Sequence, residues 1–391
     1  MAVNLTNADS ALKSYYLNAV SEQLNNYVNP FFAKIKHSTE NVWGKEVRKL
    51  AISGINGGIG AGTEDGDLPT ASSNGYCEFV TELKNIYGSI EISDKAVRAS
   101  ENNSGAFVNL LNSEMDGLVK SGSINMSRML FGDGSGILTK LDGAENGKIK
   151  VRNTQNLFVG MIIDLLDELG GVYDSYKGRK ILSIDRVNKT ITISGGIEEN
   201  YFVSGYSICL HGSCNKELTG LGAIFDMERE TLYGLRRADH DIVNPTVVDA
   251  STEFTLEKIQ QVIDMVEEKS GNQIDMIICS VGVRNKVLEL LNAKTFYAGT
   301  VNIEGGFRSI SFNGIPLVTD RFCPKGTMYL LNTKDFSLNQ LCDWQWLEDD
   351  NGRVLKQKPG KPVYTATLVK YADLLCANPS GQGALVKIQE D

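Results

Sequence analysis

Apolar residues at steps of three and four single out residues 104–131 as the longest regular segment of the chain. Phe107, Leu111, Met115 and Leu118 line one face, and Leu110 and Val119 widen it, which predicts an amphipathic helix. Ser104 suits its N-cap. A helix of that length spans about 42 Å, and Ser121-Gly122-Ser123 is expected to bend it. A second, narrower stripe of Leu12, Tyr16, Val20, Leu24 and Val28 predicts a helix over residues 8–28, ended by Asn29-Pro30. A stripe that narrow docks either on its own domain or on a neighbouring subunit.

Between these helices the period changes. Residues 41–55 read as a strand and residues 76–93 as its return, with a break near Asn85. The tip, residues 56–67, is too rich in glycine to pack. A two-stranded arm of this kind is marginally stable alone and needs another surface to lie on. After a flexible junction at residues 132–136, short alternating strands predict a small barrel or sandwich. Ile149 alternates with Val151, Leu182 with Ile184 and Ile191 with Ile193, and Asp185 to Lys189 is a hairpin connection.

From residue 217 the order helix, strand, helix, strand, strand is an α+β or α/β pattern. Thr255 caps a helix carrying Leu256, Ile259, Ile263 and Val266, and Gly271 closes it. A buried strand follows at 274–279, then a second helix at 283–292, with 309–318 and 328–331 continuing the sheet. The last unit is a hairpin of 336–348 and 363–369, turned at Asp350-Asn351-Gly352, with Trp344 and Trp346 on one face. Residues 373–379 and 384–388 add a closing strand.

Composition narrows the function. The 391 residues are 42% hydrophobic and 22% charged, enough for two or three cored units and unlike a disordered chain. A net charge of −9 argues against a protein whose main task is gripping nucleic acid, though not against one that surrounds it. Seven cysteines without a Cys-x-x-Cys pair fit a reducing compartment. The N-terminus shows no secretory signal, and the most apolar run, 274–283, is too short to span a bilayer.

Catalytic chemistry is sparse. His37, His211 and His240 are the three histidines, and none stands in a nucleophile or metal motif. Cys209, His211 and Cys214 could supply three metal ligands, but structural zinc wants four, and buried thiols beside a surface histidine are the simpler account. Gly58-x-Gly60-x-Gly62 follows a strand, yet the acidic stretch after it is a poor start for a phosphate-cradling helix. A nucleotide-dependent enzyme is therefore the weaker rival class. The chain reads as structural, with no catalytic residue, cofactor or metal expected.

The order of these parts resembles the major capsid proteins of tailed bacteriophages, whose fold is shared with herpesvirus shells and encapsulin compartments. Ser89-Ile-Glu-Ile-Ser93 resembles the family's passage from extended loop to spine helix. Asn313-Gly-Ile-Pro-Leu-Val318 is similar to its Gly-x-Pro strand, and Tyr371-Ala-Asp-Leu-Leu375 with Asn378-Pro379 to its closing strand. The resemblance implies an N-terminal arm at 1–36, an extended loop at 37–87, and a peripheral domain of 88–136 with 333–371. It further implies an inserted small β-barrel domain at 137–215 and an axial domain of 216–332 with 372–391.

By the same resemblance the chain builds an icosahedral shell around a DNA genome, located in the virion and assembled in a bacterial cytoplasm. Its partners would be copies of itself in hexamers and pentamers, a separate scaffolding protein, a portal and, optionally, a decoration protein. It would touch packaged double-stranded DNA without sequence preference and no membrane. An encapsulin-like compartment is the alternative within the fold. Leu12, Tyr16, Val20, Lys45, Lys49, Asn351 and Gly352 would lie at subunit interfaces. One branch of the family cross-links a loop lysine to a peripheral asparagine, which makes Lys45 or Lys49 with Asn351 the candidate pair. The polar setting of Asn351 instead predicts a turn residue and a shell held without covalent bonds.

Overall fold

The computed structural model describes residues 29–95, 104–198, 205–293, 300–302 and 308–390. The helix expected over 8–28, with Leu12, Tyr16 and Val20, falls outside them. The chain divides into two compact units, Arg128–Gly222 and the combination of Met1–Ser127 with Ala223–Asp391. Among the described residues no helix is long and apolar enough to cross a membrane.

Among the described residues, the first element of the larger unit is a short helix, α1 (Pro30–Lys34). The Asn29 side chain caps it by accepting from the Phe32 amide at 2.7 Å, and proline takes the first helical position. Phe31 and Phe32 are fully buried beneath it. Strand β1 (Lys36–Ser38) follows, then β2 (Val42–Trp43), β3 (Glu46–Gly54) and β4 (Gly75–Glu82), which pair into a three-stranded antiparallel arm. The run expected as one strand over 41–55 is broken by a turn at Gly44, φ +64°. Strand β5 (Lys84–Ser93) begins one residue after β4, so the break falls at Leu83. The long helix α2 (Ser104–Leu130) runs without interruption, and Ser121-Gly122-Ser123 remain helical.

The described residues of the smaller unit hold six strands, β6 (Ile137–Glu145), β7 (Lys148–Val151), β8 (Ile162–Leu166), β9 (Arg179–Asp185), β10 (Thr190–Ile193) and β11 (Ser207–Leu210). They close as an antiparallel barrel in the order β10-β7-β6-β11-β8-β9. Closure leaves no free strand edge. Ile149, Val151, Ile191 and Ile193 point inward as their alternation requires.

Leu182 does not. The register slips at Thr192/Ile193, so Ile181 pairs with Ile193 while Ser183 pairs with Thr192. That bulge puts Leu182 outside and turns Ile181 and Ile184 toward the core.

The chain leaves the barrel through a buried ion pair. Arg128 donates from both terminal nitrogens to Glu217, at 2.7 and 2.6 Å, and both side chains are under 5% exposed. Gly220 lies against the carbonyls that end α2. A Cβ there would stand 2.4 Å from the Met129 oxygen and 2.6 Å from that of Leu130.

The larger unit resumes with a hairpin, β12 (Thr231–Leu232) and β13 (Leu235–Arg236). Next come β14 (Thr246–Asp249), α3 (Leu256–Ser270), β15 (Met276–Cys279), α4 (Val281–Ala293), β16 (Thr300–Asn302), β17 (Arg308–Phe312), β18 (Ile315–Thr319) and β19 (Met328–Leu331). Thr255 caps α3 through the Lys258 amide at 3.2 Å, and Gly271 ends it in the left-handed conformation. The final strands are β20 (Phe336–Trp346), β21 (Lys356–Gln357), β22 (Val363–Cys376) and β23 (Gly383–Val386).

Seven of these make a mixed sheet, β14-β23-β19-β15-β18-β17-β16, on which Ile259, Val262, Val266, Val283 and Val287 of the two helices pack. The segment expected as continuous over 309–318 is a hairpin, because Asn313 and Gly314 both take positive φ, the two-residue turn that matches strand twist. The fold is α+β.

A second sheet runs β1-β20-β22-β21, with β5 also on β22. Ten pairs join β5 to β22, and β1 lies parallel to β20. Met115 and Val119 of α2 pack there with Trp344, Trp346, Ile90 and Ile92. Strand β22 is longer than expected and continues to Cys376, so residues 373–376 pair with β20 and do not open a closing strand.

One buried carboxyl in the seven-stranded unit carries a pH dependence. Burial pushes Asp320 up to about 6, although the Phe322 amide donates to it at 2.7 Å. The folded state therefore prefers the neutral acid. Its contribution is complete below about pH 4 and is lost as pH rises toward 6, on the order of 2–3 kcal/mol. Asp320→Asn keeps the acceptor, so the expected result is a flatter stability profile between pH 4 and 6 by denaturant titration.

Candidate assembly surface

The arm made by β2, β3 and β4 has two faces of opposite character. Register places Val47, Ala51, Cys77 and Phe79 on one side, all buried. On the other side lie Glu46, Arg48, Leu50 and Ile52, opposite Glu82, Val80, Glu78 and Tyr76. Near the base this face is charged, and Arg48 bonds Glu46 at 2.9 Å. Toward the tip it is apolar, with Leu50 67%, Ile52 62% and Tyr76 57% exposed. Ile55, Ile59 and Leu68 at the tip are about nine-tenths exposed, and Trp43 also faces solvent. Glu78 stands opposite Leu50 on this side and reaches back to Arg48 at 3.5 Å, so the exposed apolar residues gather toward the tip, and apolar groups exposed together are typical of interaction surfaces.

The loop between β3 and β4 has no regular structure, and no helix follows its glycines. A dinucleotide site needs that helix, so the phosphate reading has no geometric support.

The base of the arm is firmly held. Thr81 donates to Asp373 of β22 at 2.6 Å. The Val80 amide donates to the Tyr233 carbonyl at 3.0 Å, and the Phe79 and Tyr233 rings lie 5.6 Å apart. Sequence reading missed Tyr233. The signal was Tyr233-Gly234 between two apolar residues, which looks like a loop until the positive φ of both residues reveals a tight hairpin.

Of the residues singled out in the sequence, Lys45 sits at the turn between β2 and β3, exposed, 3.8 Å from Glu82, which is exposed too. A pair of that kind contributes little. Lys49 pairs across the ladder with Phe79, and its charge acts on Asp335, whose pKa burial raises against the hydrogen bonds of Asn272 and Gln382 and the Lys49 charge. Asn351 and Gly352 form a turn around Asp349. Its carboxylate accepts from the Asn351 amide at 2.9 Å and the Arg353 amide at 2.7 Å, which holds its pKa low. Gly352 takes φ +71°. Among the described residues no hydrogen bond or ion pair joins Lys45 or Lys49 to Asn351.

In the barrel unit, Cys209 is buried, while His211 turns outward and bonds Asp164 at 2.7 Å. Two amides, of Gly178 and Gly212, also donate to Asp164. Among the described residues no three of His, Cys, Asp and Glu gather as a metal cluster.

No family model matches the chain, and no curated protein matches its sequence. Solved structures do. The capsid asymmetric unit of cyanophage A-1(L) superposes with a TM-score of 0.55 at 11% identity, over 94% of this chain and 93% of that one. The holo-SrpI encapsulin complex of Synechococcus elongatus PCC 7942 gives 0.48 at 9% identity, over 93% and 89%. The capsid of a native GTA particle gives 0.48 at 9%, over 93% and 91%. At such identity the likeness speaks for the fold, and the chain has a phage major capsid fold.

Proposed function

We propose that this chain is a structural, non-enzymatic shell subunit, the major capsid protein of a tailed bacteriophage, closing around double-stranded DNA with copies of itself in hexamers and pentamers. The observation that carries the reading is the apolar face of the arm, with Leu50, Ile52 and Tyr76 open to solvent on a chain whose fold is that of a capsid protein over nearly its full length. Arms that bury their apolar area only on a neighbour are satisfied by closed symmetric assembly.

In this reading residues 37–87 are the extended loop and α2 the spine helix. Residues 88–136 with 333–371 form the peripheral domain, 216–332 with 372–391 the axial domain, and the barrel an insertion on the outer surface. The arm at 1–36 and Leu12, Tyr16 and Val20 would meet neighbouring subunits, as would Asn351 and Gly352 at their turn. A separate scaffolding protein and a portal complete the assembly in the bacterial cytoplasm.

Two results are expected. Particles purified after coexpression with the neighbouring genes should be closed shells, and those from infected cells should protect DNA from nuclease. Particles holding a protein cargo and no DNA would favour a compartment. Amides of residues 57–66 should exchange rapidly in unassembled chains and more slowly in particles, by hydrogen exchange. Equal exchange in both states would contradict a loop ordered by its neighbour.

A further inference from the structure

We propose that Tyr233 is the positioning residue that fixes the attitude of the β3–β4 arm, acting as a latch between that arm and the end of β22. The inference rests on the arm being the assembly element. Four contacts leave this one side chain and its carbonyl. The carbonyl accepts from the Val80 amide at 3.0 Å, and the ring lies against Phe79, both on β4. The hydroxyl donates to the Leu374 carbonyl at 3.3 Å and accepts from the Cys376 amide at 3.0 Å, both on β22. The residue is buried, so water does not compete for these bonds.

The backbone shows that the position is held for these contacts and not for the turn. Tyr233 takes φ +51° and Gly234 φ +80°, a turn that favours Asn or Gly at both places. A bulky aromatic in the left-handed region is uncommon and persists only where its surroundings over-determine it. Here a local rule is broken, and the compensation is the bridge from β4 to β22. Thr81 and Asp373 make a second tie between the same strands, so the latch sets an angle and does not bear the whole attachment.

Tyr233→Asn separates the two roles, because asparagine suits the turn yet removes ring and hydroxyl together. In the full-length chain, amides of β3 and β4 are expected to exchange about tenfold faster, while the seven-stranded sheet keeps its protection. Tyr233→Phe, which keeps the ring against Phe79, should fall between. Coexpressed with the neighbouring genes, Tyr233→Asn should give open or mis-sized particles where the unaltered chain gives closed ones. Unchanged arm exchange, exchange accelerated equally in both sheets, or normal particles from a chain with a loosened arm would each overturn the latch. If the unaltered chain forms no particles, the shell reading fails, and the exchange comparison alone decides the latch.

Discussion

Glu217→Ala is expected to destabilise the Arg128–Gly222 unit by about 3–5 kcal/mol, the usual cost of leaving one buried charge without its partner. Arg128 is 4% exposed, and its bidentate partner is 3% exposed. Water cannot replace the lost carboxylate without opening the unit. Gly136, at φ +75°, packs against the same carboxylate and the Ser213 carbonyl, so the site has little room to relax. Replacing both partners, Arg128→Met with Glu217→Leu, should be near neutral, because no uncompensated charge remains.

The measurement follows from where the tryptophans lie. Trp43, Trp344 and Trp346 are the chain's three, and all stand outside the smaller unit. In Glu217→Ala, barrel amides should lose hydrogen-exchange protection while the tryptophan-monitored unfolding midpoint stays in place. Barrel protection equal to that of the unaltered chain would show that the pair contributes nothing.

The second large effect concerns the arm. Leu50→Asp with Ile52→Asp is expected to abolish assembly while changing subunit stability by no more than about 0.5 kcal/mol, as for other exposed positions. Burying a Leu or Ile side chain contributes about 1.5–3 kcal/mol. Losing two therefore removes about 3–6 kcal/mol from each contact, before the cost of covering two carboxylates is added. A closed assembly repeats that contact at every subunit. Leu169→Asp on the barrel is the control, since Leu169 is as exposed as any arm residue, and the proposed reading puts the barrel away from the subunit contacts. Sedimentation of the three proteins separates the cases. Assembly by the double variant would show that another surface joins the subunits.

Much of the fold was legible where the pattern is long or its punctuation strong. The helix at 104–130 has a sustained stripe, and α3 carries both caps, Thr255 and Gly271. Errors came where a single residue changes the phase. The bulge at Leu182 turns an apparent inward residue out, because period-two reasoning fails when one strand gains a residue. Asn313-Gly314 is a strong hairpin signal, but the apolar flanks on both sides disguise it as one continuous strand. The extension of β22 to Cys376 depends on long-range pairing with β20, which no local pattern records.

The candidate site was half legible. The arm and its soft tip are visible from alternation and glycine content. Which of its faces is bare depends on what covers Val47 and Phe79, and that cover comes in part from Tyr233, about 150 residues away in the chain. Lys49 is legible as a loop lysine, and the fold adds that its charge acts on the Asp335 carboxyl of the same chain.

Electron cryomicroscopy of particles formed by the unaltered chain with its neighbouring genes tests the central claim most directly. The expected result is a closed shell in which each arm lies across an adjacent subunit, with Leu50, Ile52 and Tyr76 covered and the barrel facing outward. A chain that stays a compact monomer under the same conditions, or a shell in which that face remains bare, would contradict it.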